Sequence, residues 1–186
     1  SLGLPLQKIA DSCSDLSPVP GRMETLAIEG RPLAVIDYAH TPDALAKVLQ
    51  ALRPLAHQRG GRLCCVFGCG GDRDGSKRPL MAAAAEAAAD QVVLTSDNPR
   101  SEKPEAILAA MVAGLRIPQQ AHVQLDRALA IAQTLAQAAD QDVILVAGKG
   151  HETEQEIMGV RHPFSDEVQV RMALQQRAAK HQGVLA

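Results

Sequence analysis

The chain has 186 residues, a formal net charge of −2 and enough apolar sequence (46%) for the sizeable core of one ordinary domain. Its aromatics are Tyr38, Phe67 and Phe164, too few to stack single-stranded nucleic acid, and its intermixed charges argue against a nucleic-acid backbone or an anionic membrane as partner. No apolar stretch approaches the ~20 residues of a membrane span and no basic-then-apolar leader opens the chain, so a cytoplasmic protein with a small polar ligand is expected.

In chain order, Ser1 to about Pro20 reads as a short helix or turn ending in the stiff linker Ser17-Pro18-Val19-Pro20-Gly21. A domain boundary is expected there, with residues 1–19 as tail and linker and 20–186 as the domain. Four runs without polar alternation follow: Leu33–Ile36, Leu63–Phe67, Gln91–Thr95 and Val143–Ala147. Such runs suit strands buried on both faces. Between them the pattern predicts helices over about Pro42–Ala56, Pro79–Ala89, Pro104–Ala113 and Asp126–Ala138, three of them with Pro near the first turn. A short strand fits His122–Leu125, a hairpin fits Ile157–Arg161, and Ser165 reads as the cap of a last helix. Alternating β and α elements predict an α/β, Rossmann-like fold: a mostly parallel sheet flanked by helices, with a small antiparallel hairpin near the C-terminal end.

Cys13, Cys64, Cys65 and Cys69 form no C-x-x-C pair, which points to neither zinc nor a disulfide framework. Cys64 and Cys65 should face opposite sides of a strand as buried thiols, while Cys69 falls in a glycine loop.

Ligands of open α/β sheets bind beyond the carboxyl ends of the strands, and here every apolar run ends in polar or glycine-rich residues. These are Asp37-Tyr38-Ala39-His40-Thr41-Pro42, Gly68-Cys69-Gly70-Gly71-Asp72-Arg73-Asp74, Asp97-Asn98-Pro99-Arg100 and Gly148-Lys149-Gly150-His151-Glu152. The glycine loop matches no nucleotide fingerprint. Arg73 stands where a dinucleotide loop has its third glycine, and Gly75-Ser76-Lys77 reverses the Lys and Ser of a P-loop. Asp97–Arg100 instead suits a zwitterion: Arg grips a carboxylate through two parallel hydrogen bonds, Asp and the Asn carbonyl accept from an ammonium, and Pro99 restrains the turn.

Together with Pro20-Gly21-Arg22-Met23-Glu24, these loops in this order resemble the C-terminal domain of the Mur ligases, and most closely their meso-diaminopimelate-adding branch. The resemblance covers Pro20 to the last helix. It implies one domain of a larger ATP- and magnesium-dependent amide ligase of peptidoglycan biosynthesis, with residues 1–19 as the tail of the central ATPase domain. In that family ATP phosphorylates a D-glutamyl carboxylate and an amine of diaminopimelate attacks it. UDP-N-acetylmuramoyl-L-alanyl-D-glutamate, ATP and magnesium would then be held mainly by the other domains. This fragment, without a P-loop, is expected to be inactive alone and to supply no catalytic residue or metal ligand.

By the same resemblance Arg73 and Arg100 contact carboxylates of diaminopimelate, Asp97 and Asn98 contact the ammonium and carboxylate of its far stereocentre, and Pro99 shapes the turn. Gly148, through its carbonyl, and Glu152 are further ammonium contacts. Tyr38, His40 and Asp43 would form an edge of the ATP site, and Lys149 and His151 would either face phosphate or orient their loop. Two alternatives remain at this level: a lysine-adding or folylpolyglutamate-type ligase, and a stand-alone module binding an amino acid or a dinucleotide.

Overall fold

The computed structural model describes residues 19–182, so the tail over residues 1–18 and Cys13 lie outside the described residues. Strands β1 (Glu24–Leu26), β2 (Leu33–Asp37), β3 (Leu63–Phe67), β4 (Gln91–Leu94), β5 (His122–Val123) and β6 (Val143–Ala147) form one sheet in the order β1-β2-β6-β3-β4-β5. All pairings are parallel except β1 with β2. β1 is absent from the sequence-based expectation because three residues are too few to show a period.

β6 enters the sheet between β2 and β3, and its register aligns the strand ends: Ala147 is level with Asp37 on one side and Phe67 on the other, and Phe67 with Leu94. All four chemically rich loops therefore leave the sheet along one rim. The central strands are buried at every position. Their side chains still alternate between two cores. Val35, Cys65, Phe67 and Leu145 face one, and Ile36, Cys64, Val66 and Ile144 the other.

Helices α1 (Pro42–Arg59), α2 (Lys77–Ala88) and α3 (Pro104–Val112) cover the first core; α4 (Arg127–Gln137) and α5 (Asp166–Gln182) cover the second. In α1, Leu45, Leu49, Leu52 and Ala56 repeat at helical spacing and are buried. Cutting such a leucine back to alanine costs about 2–5 kcal/mol. Thr41 Oγ1 accepts from Ala44 N (3.3 Å) at the start, and Gly60, at φ 70°, stops the helix. α1 runs through Pro54, as expected, because the packing of Leu52 and Ala56 outweighs one missing hydrogen bond, and it continues past the expected end at Ala56 to Arg59. At α4, Asp126 Oδ1 accepts from Leu129 N (3.0 Å), and at α5 Ser165 Oγ accepts from Val168 N (3.4 Å).

Strands β7 (Glu154–Ile157) and β8 (Val160–Pro163) form the hairpin, turning through Met158 (φ 50°) and Gly159 (φ 74°). Among the described residues no helix is long and apolar enough to cross a membrane. Cys64, Cys65 and Cys69 are buried free thiols. Burial pushes Cys64 up to about 11 and Cys69 up to about 12, so the glycine-loop thiol, packed 3.7 Å from Met81 Sδ, is no nucleophile at neutral pH.

Candidate functional site

At the rim lies a cavity of about 320 Å³. Arg73, Asp97, Asn98, Arg100, Gly148 and Glu152 all line it, as do Tyr38 and His40; Pro99 and Asp43 do not. A second cavity, about 240 Å³, opens toward the hairpin and shares Asn98, Arg100 and Glu152 with the first.

The glycine loop and the Asp97–Arg100 loop are latched together. Gly71 N donates to Asn98 O (2.9 Å), and the Pro99 carbonyl sits where any Cβ on Gly71 would go. Asp72 accepts from the Ser101 hydroxyl (2.6 Å) and amide (3.1 Å), while Arg78 grips Glu102 through two nitrogens (2.7 and 2.9 Å). These contacts hold the Asp72 and Glu102 carboxyls below their usual range, with Ser101 and Arg78 respectively the largest causes. The hairpin secures the other side. Arg100 N donates to Glu156 O (3.0 Å) and Met158 N to Arg100 O (2.7 Å). Arg100 is thereby held at φ 53°, a left-handed conformation uncommon for a non-glycine residue. Its Nη1 donates to Gly71 O (2.7 Å), which braces the guanidinium against the cavity wall.

Asn98 faces the cavity in a fixed sense. Its Oδ1 accepts from Lys149 Nζ and from Glu156 N (both 3.0 Å), and its Nδ2 donates to Glu152 Oε2 (2.8 Å). The expectation that this carbonyl would take an ammonium is thereby amended: the oxygen is occupied, and the group left for a ligand is an N–H, which suits a carboxylate. Lys149 is fully buried and donates to protein acceptors, so of the two roles open to it, it orients the loop. His151 is exposed.

Asp97 is nearly buried. Its Oδ1 accepts from Asn98 N (2.7 Å), and its Oδ2 lies against Gly148. Burial pushes its carboxyl up, against the opposing pull of Arg127 and Lys149. Beneath it Arg127 and Asp166 form a fully buried pair with two 2.8 Å contacts. Arg127 also donates to Ser96 O (3.3 Å) and Ala147 O (3.0 Å), tying together the chain just before Asp97 and Gly148. Neither Arg127 nor Arg78 stands out in the sequence. A basic residue in a first helical turn reads as solvated, and only a buried acidic partner distant along the chain reveals otherwise.

The third group is the Tyr38 edge. The Asp37 carboxylate accepts from Met23 N (2.9 Å) and Ala39 N (2.8 Å), which pins the Gly21–Met23 turn beside Tyr38. Arg22 lies 4.7 Å over the Tyr38 ring, His40 meets that ring edge-on, and the His151 ring is 5.7 Å away. Asp43 sits on the exposed first turn of α1, paired with Lys47 at 2.7 Å.

Three amides of the glycine loop are spent on protein, Gly71 on Asn98, Asp72 on Glu102 and Ser76 on Asp74. No group of three or more His, Cys, Asp or Glu able to hold a metal ion occurs among the described residues. What the rim offers is a cavity lined together by cationic and amide side chains (Arg73, Lys77, Arg100, Asn98) and carboxylates (Asp74, Asp97, Glu152).

A parallel α/β domain with a polar cavity of mixed charge at its strand ends is the class of molecule at hand. Residues 21–150 match the Mur ligase, glutamate ligase domain, and the chain belongs to that family. It is 55% identical over 177 residues to the "UDP-N-acetylmuramoyl-L-alanyl-D-glutamate--2,6-diaminopimelate ligase" of Acidovorax sp. (strain JS42), covering 95% of this chain and 35% of that protein. The protein of the same name in Ralstonia nicotianae is 54% identical over 175 residues, 94% of this chain and 34% of that one. A solved structure of a ligase so named superimposes with a TM-score of 0.79 at 47% identity, over 95% of this chain and 36% of that chain. A bifunctional folylpolyglutamate synthase/dihydrofolate synthase from Yersinia pestis shares the fold at 25% identity and a TM-score of 0.59, over 80% of this chain and 32% of that one. The chain spans about a third of the length of the curated relatives it matches.

Proposed function

We propose that this chain is the domain that receives the amino acid in an ATP-dependent ligase joining meso-2,6-diaminopimelate to UDP-N-acetylmuramoyl-L-alanyl-D-glutamate. One observation carries the reading: Arg73, Arg100 and the Asn98 amide face the same cavity as Asp97, Glu152 and the Gly148 backbone. The Arg and Asn donors suit the carboxylate of the end of diaminopimelate that does not react, and the acceptors suit its ammonium. Pro99 shapes the turn between them. Held by that end, the ligand presents its other amine for attack, and such positioning is a large part of catalysis in a two-substrate reaction.

Activation of the glutamyl carboxylate by ATP belongs to the remaining two thirds of the protein, with magnesium and the UDP sugar. Residues 1–19 are read as the tail of that ATPase domain. Tyr38 and His40 would offer one edge to the nucleotide when the domains close, with Asp43 at the periphery. A cytoplasmic enzyme of peptidoglycan synthesis follows from this reading.

The test has two arms. NMR titration of the 186-residue chain should show diaminopimelate shifting the amides of Asn98, Arg100 and Gly148, with lysine shifting them less. The isolated chain should form no product from ATP, diaminopimelate and the UDP-muramoyl dipeptide. Shifts confined to other residues, or product formed at the rate of a full-length ligase, would refute the proposal.

A further inference from the structure

Lys149 has no exposed surface, and three acceptors surround its ammonium: Glu154 O at 2.7 Å, Glu152 Oε2 at 2.9 Å and Asn98 Oδ1 at 3.0 Å. An ammonium has three hydrogens, so none is left for a ligand. The backbone turns it inward by construction, since Gly148 and Gly150 on either side adopt φ values of 113° and 53°. Two of its three acceptors belong to side chains that line the amino-acid cavity.

Consider Asn98 first. A terminal amide can be flipped, exchanging its oxygen and nitrogen, and a flipped Asn98 would present an acceptor to the cavity. Here the flip would set an NH₂ group against the Lys149 ammonium and the Glu156 N–H, donor against donor on both sides. Glu152 is held likewise. Its Oε2 accepts from Asn98 Nδ2 and Lys149 Nζ, which leaves Oε1 for an ammonium, and these bonds hold its carboxyl below the usual range against the opposing effect of burial.

We propose that Lys149 is a positioning residue that sets the polarity of the pocket, fixing Asn98 as a hydrogen-bond donor and Glu152 as an ionised acceptor, without itself touching the amino acid. The inference rests on the reading of the cavity as the diaminopimelate site. It assigns substrate orientation to a buried cation, one layer behind the contacts.

The experiment is steady-state kinetics of the full-length ligase carrying this domain, with Lys149→Met, Asn98→Ala and the double variant. Lys149→Met should raise KM for diaminopimelate about 10- to 100-fold, the loss of a hydrogen bond to a charged group, while kcat and KM for ATP change far less. The double variant should lose clearly less than the sum of the two single losses, because part of the Lys149 effect runs through Asn98 and only the part that runs through Glu152 remains to be lost. An unchanged KM for diaminopimelate overturns the proposal, and so does a fully additive double variant. Parallel losses in kcat, both KM values and melting temperature also overturn it, marking Lys149 as structural only. Should Lys149→Met fail to fold, Asn98→Asp replaces it: this variant keeps oxygens for Lys149 and Glu156 N–H but loses the donor, so a wild-type KM for diaminopimelate would overturn the proposal. Glu152→Gln and Arg100→Ala separate the levels. If these too leave that KM unchanged, the site reading fails; if they raise it and Lys149→Met does not, only this inference falls.

Discussion

Gly148 stands so close to Asp97 that a Cβ built on it would lie 2.6 Å from Asp97 Oδ2, and its φ of 113° is one that side chains rarely allow. Carboxylate and backbone thus share a space with no room for a methyl group. Gly148→Ala should destabilise the domain by about 1–3 kcal/mol through backbone strain and push Asp97 out of place. Urea denaturation checks the first effect and diaminopimelate titration the second. Wild-type values in both would show that the close approach is dispensable.

Asp97→Asn tests what the buried carboxylate costs. Its pKa is raised in the folded state by burial, so the folded form holds its proton more tightly than the unfolded form. For a raised aspartate, stability falls as pH rises from the ordinary aspartate range of about 4 through the folded value, and the cost is complete above it. The amide variant escapes that cost, so it should melt higher than wild type at pH 7, with the advantage shrinking as the pH approaches 4. Diaminopimelate binding should nevertheless be lost. A lower melting temperature at pH 7 would mean that Asp97 is a net stabiliser.

Arg100 separates side chain from backbone. At φ 53° a glycine is relaxed where arginine is not, so Arg100→Gly should leave the loop folded while removing the guanidinium. In the full-length ligase, Arg100→Gly and Arg100→Ala should cut the specificity constant for diaminopimelate by roughly 2–5 kcal/mol of transition-state stabilisation, and that for lysine far less. Arg100→Lys should rescue poorly, since an ammonium lacks the two-pronged contact. The ratio of specificity constants for the two amino acids is the measurement; if it is the same in all four proteins, Arg100 only shapes the loop.

The Arg127–Asp166 pair carries the rim. Both side chains are fully buried, so Arg127→Met leaves an uncompensated carboxylate and should cost about 3–5 kcal/mol. Adding Asp166→Leu should recover part of that stability. Recovery of diaminopimelate binding should lag behind, because the carbonyls of Ser96 and Ala147 still lack their shared donor. Denaturation midpoints and ligand titration of the three proteins decide it, and a double variant that binds like wild type would refute the rim-carrying role.

The strands were legible because parallel strands buried on both faces leave continuous apolar runs, as in Val143–Ala147, and the site loops were legible because such strands end at one rim. Less visible was anything set by a partner far along the chain. The helix expected to end at Ala56 runs on to Arg59, where Gly60 at φ 70° closes it. Three residues of β1 are fixed by the neighbouring strand rather than by a pattern of their own. The sequence leaves Lys149 open between facing phosphate and orienting its loop, and only its three acceptors show that it faces inward. The direction of the Asn98 amide belongs to the same class: an asparagine in a sequence has both a donor and an acceptor, and only its neighbours choose.

β6, inserted between β2 and β3, also fixes the order in which the domain can be completed. During synthesis β2, β3 and β4 leave the ribosome first, but β2 and β3 have no common edge until the strand that separates them arrives more than seventy residues after β3. Until Val143–Ala147 emerges, the nascent chain holds two apolar edges around an empty slot. Pairings so distant in sequence make folding slow and leave those edges open to other chains. A chain cut just before Val143 should therefore aggregate, whereas the last strand of the six-stranded sheet, once seated, joins the two halves of the sheet and aligns the loops of the rim in a single step.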